Sequence, residues 1–357
     1  MCGHAGGWAS TCVRKGRTER TSTGTARVRA RENDTTDTTT RRTRQHDDTR
    51  REAVMSQTDG RAGTSDAAPA PGRVVVGVDG SPHSLRALDR AAGEAARRGA
   101  ELLVLCGGLP PRRTAVPETD TDRERIRRAA QEVADEAAER ARGRAPGLRV
   151  AAAGVREPAA EALVRAGRDA ELTVVGTRGH GGFRGLLLGS VSLRLAAHAT
   201  GPLMVVHGQL PRSDSPPAGE VVVGLKAAGS TQPVDFALRS ARLSGSAVRV
   251  LHSWSHPAFP GIARKRPRKE PSEEARQAER FLAETLAPLR ERVPEVTVHA
   301  EQREGPAAEH LIELSDGADQ VVLGVRRESR RLGLQVGPVV QSVLQHARCS
   351  VVLVPVS

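Results

Sequence analysis

The chain has 357 residues, a formal net charge of +12 and only 2% aromatic residues. This length favours two folded domains over one, and the scarcity of aromatic side chains predicts cores built from small aliphatic residues. No apolar run approaches the roughly 20 residues of a membrane span, and the four scattered cysteines form neither a disulfide framework nor a metal-ligand pattern, which fits a reducing, cytoplasmic compartment.

The first predicted region, residues 1–72, is rich in Thr, Arg, Asp and Gly and shows neither the apolar period of a strand nor that of a helix. Such a composition cannot offset the entropy of ordering, so the region is expected to be a disordered tail. Acidic residues are interleaved with its arginines, which disfavours nucleic acid as a partner. The tail lacks the apolar core of a signal peptide, and Met55 is an alternative start of translation.

Residues 73–209 contain five short apolar runs that alternate with amphipathic segments, the pattern of a β-α-β domain. Ser81 is predicted to cap the first helix, and a strand over 148–153 is predicted to precede a helix that starts near Pro158. Apolar runs of this kind predict a parallel sheet with helices on both faces, which binds ligands where the strand order reverses. Asp79 and the loop after Val175 share that crevice if the first and fourth strands are neighbours.

The segment GTRGHGGFRGLLLGSVS, residues 176–192, joins the fourth strand to the next helix. Glycines let backbone N–H groups close on a phosphate, and a helix that begins near Ser190 adds its own N–H groups and partial positive charge. The segment therefore predicts an anion-binding loop. His180 and Arg184, within it, are either phosphate contacts or solvated side chains. The chain has no GxxxxGK[ST] loop and no recognisable catalytic triad.

A polar linker, 210–219, leads to a second region, 220–357, that repeats the first. VVVGLK lies 147 residues after VVVGVD, and QVVLGV lies 148 residues after LTVVGT. Self-similarity at this length predicts two copies of one domain. The last strand of each copy would be an exposed edge unless covered, so we expect the halves to pair as an intramolecular pseudo-dimer. A homodimer of chains is left open.

The spacing Gly-x2-Gly-x9-Gly-Ser, formed by Gly176, Gly179, Gly189 and Ser190, resembles the nucleotide signature of the universal stress protein family. VVVGVDGSPHS and REPAAEAL match the same family, and the likeness covers about 73–356. The resemblance implies the tandem type: two flavodoxin-like or Rossmann-like α/β domains of the adenine nucleotide alpha-hydrolase kind, each a five-stranded parallel sheet with helices on both faces.

The resemblance further implies that the first domain binds ATP, with Mg2+ as a candidate companion ion. The glycine backbone would approach the phosphates and ribose, the Ser190 hydroxyl would bind a phosphate, and the turn after the first strand would flank the adenosine. The implied nucleotide-binding residues are Asp79, Gly80, Ser81, Gly176, Gly179, Gly189, Ser190, Val191 and Ser192. Two alternatives stay open: a flexible glycine turn without a ligand, and Asp79 as a helix cap.

The second copy departs from the signature at its decisive positions. Lys226 stands in place of Asp79, Arg327 in place of Gly179 and Pro338 in place of Ser190, while the other two glycines are kept as Gly324 and Gly337. Proline offers neither a hydroxyl nor an N–H. One nucleotide site per chain is therefore expected. The alternative is a different anion site formed by Lys226, Arg326 and Arg327.

The expected function is that of a cytoplasmic, nucleotide-responsive regulator of the stress response. No catalytic residue and no metal site are assigned, because no group is positioned in the sequence as a base for hydrolysis. Two rivals remain. One is a slow ATPase or adenylate-transferring enzyme, and the other is a scaffold in which nucleotide binding is incidental.

Overall fold

The computed structural model describes residues 72–108, 119–179, 188–207, 219–226, 229–255, 272–326 and 336–356. These residues all belong to one unit of the chain, Ala67–Ser357. The predicted tail up to residue 71, together with His180, Arg184 and Arg327, lies outside the described ranges.

The first half alternates strands and helices in the predicted order. Its elements are β1 Arg73–Gly77, α1 Pro82–Arg98, β2 Glu101–Gly108, α2 Asp120–Arg144, β3 Val150–Pro158, α3 Ala159–Ala166, β4 Leu172–Gly176, α4 Ser190–His198 and β5 Leu203–Val206. The second half repeats this order. Its elements are β6 Glu220–Gly224, α5 Gln232–Ser244, β7 Val248–Trp254, α6 Glu273–Arg292, β8 Val298–Glu304, α7 Ala307–Leu314, β9 Ala318–Arg326, α8 Pro338–His346 and β10 Ser350–Val356.

The strands form one ten-stranded sheet in the order β3-β2-β1-β4-β5-β10-β9-β6-β7-β8. Within each half all neighbours are parallel, and the halves join where β5 pairs antiparallel with β10. Because β1 pairs with both β2 and β4, the strand order of the first half reverses at β1. The second half reverses at β6 in the same way. These reversals are where the parallel sheet leaves room for a ligand.

The sheet carries a separate apolar core on each face. Alternation along β1 sends Val74 and Val76 into one core and Val75 into the other, and each core extends across both halves. Alanine-rich faces of the helices close over the strands, as in α1, which buries Ala87, Leu88 and its neighbours. The chain therefore folds as two tandem Rossmann-like α/β domains with helices on both faces, built from small aliphatic side chains.

The ends of the elements follow local chemistry. Ser81 is the N-cap of α1, as predicted, and its side chain accepts the N–H of Ser84, while Gly99 ends the helix with a φ of 62°. β3 runs to Pro158, beyond the predicted end at residue 153, because β2 continues as its pairing partner as far as Gly108. Among the described residues, no helix is long and apolar enough to cross a membrane.

Candidate functional site

The reversal at β1 brings two predicted loops together. Asp79 follows β1, and Gly179 follows β4, which is the neighbouring strand. A Cβ placed on Gly179 would overlap Oδ2 of Asp79, so the two loops are in contact. The first and fourth strands are thus neighbours, as the predicted site requires, and the loops that follow them meet. We call the place where these two loops meet the crevice, and the loops its walls.

The wall formed by the first loop is a braced turn. Oδ1 of Asp79 accepts the N–H of Ser81 at 3.0 Å, and the N–H of Asp79 donates to Oγ of Ser84 at 3.2 Å. Gly80 has a φ of 79°, a left-handed conformation that glycine adopts without strain. Ser81 is the N-cap and is buried, whereas Asp79 and Gly80 are exposed. Asp79 therefore holds the turn that precedes the cap and does not itself cap the helix.

The three signature glycines meet different surroundings. A Cβ on Gly176 would lie 2.6 Å from the carbonyl oxygen of His83, so this glycine lets β4 pack against the first turn of α1. A Cβ on Gly189 would meet nothing closer than 3.3 Å. At Gly179 the obstacle is the Asp79 carboxylate alone, a group that can rotate. Of the three, Gly179 is the glycine whose missing side chain leaves room for the Asp79 carboxylate.

The second wall ends at the start of α4. Gly189 is its N-cap, with no side-chain capping bond, and its N–H donates to the carbonyl of Thr177 at 2.6 Å. The N–H groups of the first turn have no acceptor within the helix, and Ser190 at this end is exposed. Ser190 and Val191 are therefore placed where a helix terminus can bind an anion.

The hydroxyl of Ser192 has a structural role. Its side chain is 3% exposed, and Oγ donates to the carbonyl of Gly176 at 2.7 Å. This bond fastens α4 to the end of β4. Ser192 can therefore offer a ligand only its backbone N–H, while its side chain fixes the angle at which the helix enters the crevice.

Arg178, which the sequence analysis treated as a spacer within the signature, lies in the same wall. Its Nε is buried and has no hydrogen-bond partner among the described residues. A buried donor of this kind costs free energy unless a ligand or water satisfies it. The sequence already indicated this residue, because Arg178 stands between Gly176 and Gly179, just after the end of β4. Arg178 adds a positive charge to the crevice.

His83, in the first turn of α1, is a second residue that the sequence analysis did not assign. Its Nδ1 lies 2.7 Å from Nη2 of Arg86 and 3.2 Å from Oγ1 of Thr177. Burial lowers the pKa of His83, and the charges of Arg86 and Arg178 lower it further against the opposing effect of Asp79. Because a guanidinium only donates, Nδ1 is the acceptor and the imidazole is neutral.

Groups that would support covalent or metal chemistry are scarce in the part of the chain that is described. Burial raises the pKa of Cys106 to about 11, with a further contribution from the charge of Asp79, so the thiol at the end of β2 stays protonated. Within the same ranges, no group of three His, Cys, Asp or Glu side chains is arranged to hold a metal ion. Asp79 is the carboxylate that borders the crevice between the two loops.

The corresponding loops of the second half line a cavity of about 960 Å³, together with residues of α4 and β5 from the first half. Lys226 follows β6 as Asp79 follows β1, and Pro338 is the first residue of α8. A Cβ on Gly324 would lie 3.0 Å from Cγ of Pro233, so packing against α5 explains why this glycine is kept. The second copy thus retains what the fold requires at the end of β9 and has lost both the carboxylate and the N–H at the helix start.

Comparisons with known proteins agree with this repeat. The model of the Universal stress protein family matches residues 71–207 and again residues 219–355. A universal stress protein of Mycolicibacterium smegmatis is 32% identical over 295 residues, which are 79% of this chain and 96% of that protein. Both matches span the two halves.

Solved structures give a consistent view of the fold. The crystal structure of a universal stress protein from Archaeoglobus fulgidus has a TM-score of 0.59 and 16% identity, and the match covers 79% of this chain and 98% of that one. Another universal stress protein, solved in complex with cAMP, is 30% identical with a TM-score of 0.28 over 39% of this chain and 98% of its own. The bound nucleotide is a property of that protein.

Proposed function

The chain belongs to the universal stress protein family, in its tandem form, and from this premise we propose that its first domain binds ATP and acts as a nucleotide-responsive regulator. The observation that carries the proposal is the crevice in which Asp79 meets Gly179, bordered by the unpartnered Nε of Arg178 and by the start of α4. In this proposal, N–H groups that can bind a phosphate lie beside a carboxylate, that of Asp79, which can accept a hydrogen bond from a ribose hydroxyl.

In this proposal the phosphates bind at the start of α4. The N–H groups of Ser190, Val191 and Ser192 and the exposed hydroxyl of Ser190 are the donors, and Arg178 supplies the charge. Gly176 and Gly189 support the loop from either side, and Gly179 admits the ligand. The buried bond from Ser192 to Gly176 keeps these donors in a fixed direction.

The adenosine binds against the other wall. Asp79, held by the N–H of Ser81, is the acceptor for a ribose hydroxyl, and the same carboxylate is the candidate contact for Mg2+. Gly80, in its left-handed conformation, leaves the wall without a side chain at the point of approach. These assignments rest on the geometry of the turn from Asp79 to Ser84.

We propose one nucleotide per chain. The second half has Lys226 where a ribose acceptor is needed and Pro338 where the helix start should donate. Its role is that of a structural partner in an intramolecular pseudo-dimer, which the antiparallel pairing of β5 with β10 supports. A different anion site at Lys226, Arg326 and Arg327 is the alternative, favoured by the cavity that Lys226 and Arg326 line.

The regulatory part of the proposal is a change of surface. Nucleotide occupancy alters the surface around Gly179 and the start of α4, and a second protein binds that surface. The location proposed for this function is the cytoplasm, with which the free, buried thiols of Cys106 and Cys349 agree. Fractionation of cells that express the native chain tests the location.

The direct test of the site is Gly179→Arg, which copies Arg327 of the second half. ATP is titrated into the full chain by calorimetry. The variant should lose binding, because the larger side chain displaces Asp79. Gly337→Ala, at the equivalent glycine of the second half, serves as the control, since a Cβ there has no neighbour within 4 Å. Unchanged affinity in Gly179→Arg would overturn the site assignment.

The enzymatic rival is a slow ATPase or adenylate-transferring activity. It predicts release of ADP or AMP that depends on Mg2+ and disappears in Gly179→Arg. In the first loop the hydroxyls of Ser81 and Ser84 are already engaged, because Oγ of Ser81 accepts from the N–H of Ser84 and Oγ of Ser84 donates to the carbonyl of Ser81. The scaffold rival predicts an unchanged cellular phenotype when the variant that cannot bind ATP replaces the native chain.

A further inference from the structure

A charged cluster is buried where the two halves meet. Glu94 of α1 is 4% exposed and pairs with Arg90 and Arg98 on the same helix, whose side chains are 13% and 7% exposed. Nη2 of Arg90 donates across the seam to Oε1 of Gln320 at 3.5 Å. Gln320 is itself buried in β9, which belongs to the second half. A polar contact thus links helix α1 to the opposite half.

The repeat has leucine where this glutamine stands. In the first half Val74 of β1 pairs with Leu172 of β4, and in the second half Val221 of β6 pairs with Gln320 of β9. Val74 and Val221 open the matching VVVG runs of the two halves. Gln320 therefore takes the place of Leu172, a fully buried apolar residue, at the same position in the sheet.

The helix position also differs between the repeats. Gly99 and Gly245 end α1 and α5 in the same left-handed conformation, and the following N–H bonds back to the matching alanine in each helix. Counting back from these two glycines places Phe236 at the position of Arg90. Phe236 is 5% exposed. The two halves are related by a pseudo-two-fold axis, so each polar residue has an apolar equivalent. Phe236 is the equivalent of Arg90, and Leu172 is the equivalent of Gln320.

We infer that the contact between Arg90 and Gln320 selects the unlike half as the partner. If two first halves paired in the same way, each Arg90 would meet Leu172, which offers no acceptor. If two second halves paired, Phe236 would cover the amide of Gln320 and leave it without a partner. Each like pairing takes away the partner of Nη2 of Arg90 or of the Gln320 amide, whereas the unlike pairing joins these two polar groups and keeps the apolar pair dry.

Glu94 makes Arg90 a fixed donor. Nε of Arg90 lies 3.2 Å from Oε1 of Glu94, as an ion pair without the direction of a hydrogen bond. Burial alone would raise the pKa of Glu94, but the charges of Arg90, Arg98 and Arg97 lower it to about 2. The charge of Arg90 is thus compensated within α1 in every pairing. What changes with the partner is whether its remaining N–H groups find an acceptor, and Gln320 supplies one.

A double-mutant cycle in the full chain tests the contact. Gln320→Leu should lower the folding equilibrium constant by about tenfold or more, since it leaves donors of Arg90 buried without an acceptor. Arg90→Phe should also destabilise the chain. The double variant places Phe beside Leu, the residue types that the equivalent positions Phe236 and Leu172 already have. Its folding equilibrium constant should therefore be about tenfold higher than the product of the two single effects predicts. Arg90→Phe also removes the ion pair with Glu94, but it does so in the native chain and in the Gln320→Leu chain alike. This contribution therefore cancels in the coupling energy.

The choice of partner needs a second measurement. Two full chains with different tags are co-expressed, and the fraction that co-purifies is compared for the native chain and for Arg90→Phe/Gln320→Leu. Any dimer that uses other surfaces contributes equally to both. The double variant should co-purify several-fold more, because like halves of different chains then pair without an unsatisfied group. If the effects of the two single substitutions on stability are additive, Arg90 and Gln320 do not interact. If the native chain and the double variant co-purify to the same extent, the contact does not select the partner.

Discussion

Alanine at two signature glycines should separate the requirements of the fold from those of the site. Gly176→Ala puts a Cβ 2.6 Å from the carbonyl oxygen of His83, which belongs to the backbone of α1 and cannot rotate away. The forced shift of β4 against α1 should lower the free energy of unfolding by about 1 to 3 kcal/mol. Gly179→Ala meets only the Asp79 carboxylate, so the free energy of unfolding should fall by less, because Asp79 is exposed and water can replace the bond that it gives up.

The cost of Gly179→Ala should appear in binding. The displaced Asp79 carboxylate loses its bond to the N–H of Ser81, which is 3.0 Å long in the intact turn. The carboxylate is then no longer held as the proposed acceptor for the ribose hydroxyl. Loss of a hydrogen bond to a charged acceptor, about 1.5 to 3 kcal/mol, corresponds to an ATP affinity weaker by about tenfold to a hundredfold. The new methyl group narrows the crevice as well.

Urea unfolding and calorimetric ATP titration of the native chain and three variants provide the assay. Gly337→Ala is the matched control, because a Cβ there has no neighbour within 4 Å and its φ of −57° suits any residue. It should unfold like the native chain. The reasoning fails if Gly179→Ala binds ATP as the native chain does, or if Gly176→Ala unfolds at the same urea concentration as Gly337→Ala.

Three further outcomes follow from buried groups. The pKa of Glu94 is about 2 against an ordinary value of 4.5, so its stabilisation is full above pH 4.5 and is lost as the pH falls towards 2; urea titrations should show about 3 kcal/mol of this loss, absent in Glu94→Gln. Arg178→Met should weaken ATP binding by about tenfold without lowering the midpoint of thermal unfolding. Ser192→Ala should cost about 1 kcal/mol of unfolding free energy, since the carbonyl of Gly176 loses its donor.

Much of the fold could be predicted because it rests on local patterns. Apolar runs such as RVVVG identify strands buried on both faces, and Ser81 with Pro82 marks a helix start whatever surrounds it. The crevice followed from one further condition, that β1 and β4 be neighbours. Local patterns do not give the register in which β5 pairs with β10, because that pairing joins residues distant in the sequence. They also do not give the length of β3, which depends on how far β2 continues beside it.

The site was harder to predict, since a motif gives spacing and not surroundings. The signature treats its glycines alike, but Gly176 is required by the backbone of His83 and Gly179 only by the crevice. Arg178 appears in the sequence as a spacer. Arg90 appears as one more charge on an amphipathic helix, because nothing in α1 reveals that β9 of the other half covers it. These roles exist only once the partner strands are known.

The central claim is one nucleotide site per chain, and its most direct measurement is the stoichiometry of ATP binding to the full chain by calorimetric titration. We predict one molecule of ATP per chain, lost in Gly179→Arg and kept in Lys226→Ala. Two molecules per chain, or a single site that survives Gly179→Arg and disappears in Lys226→Ala, would contradict the account.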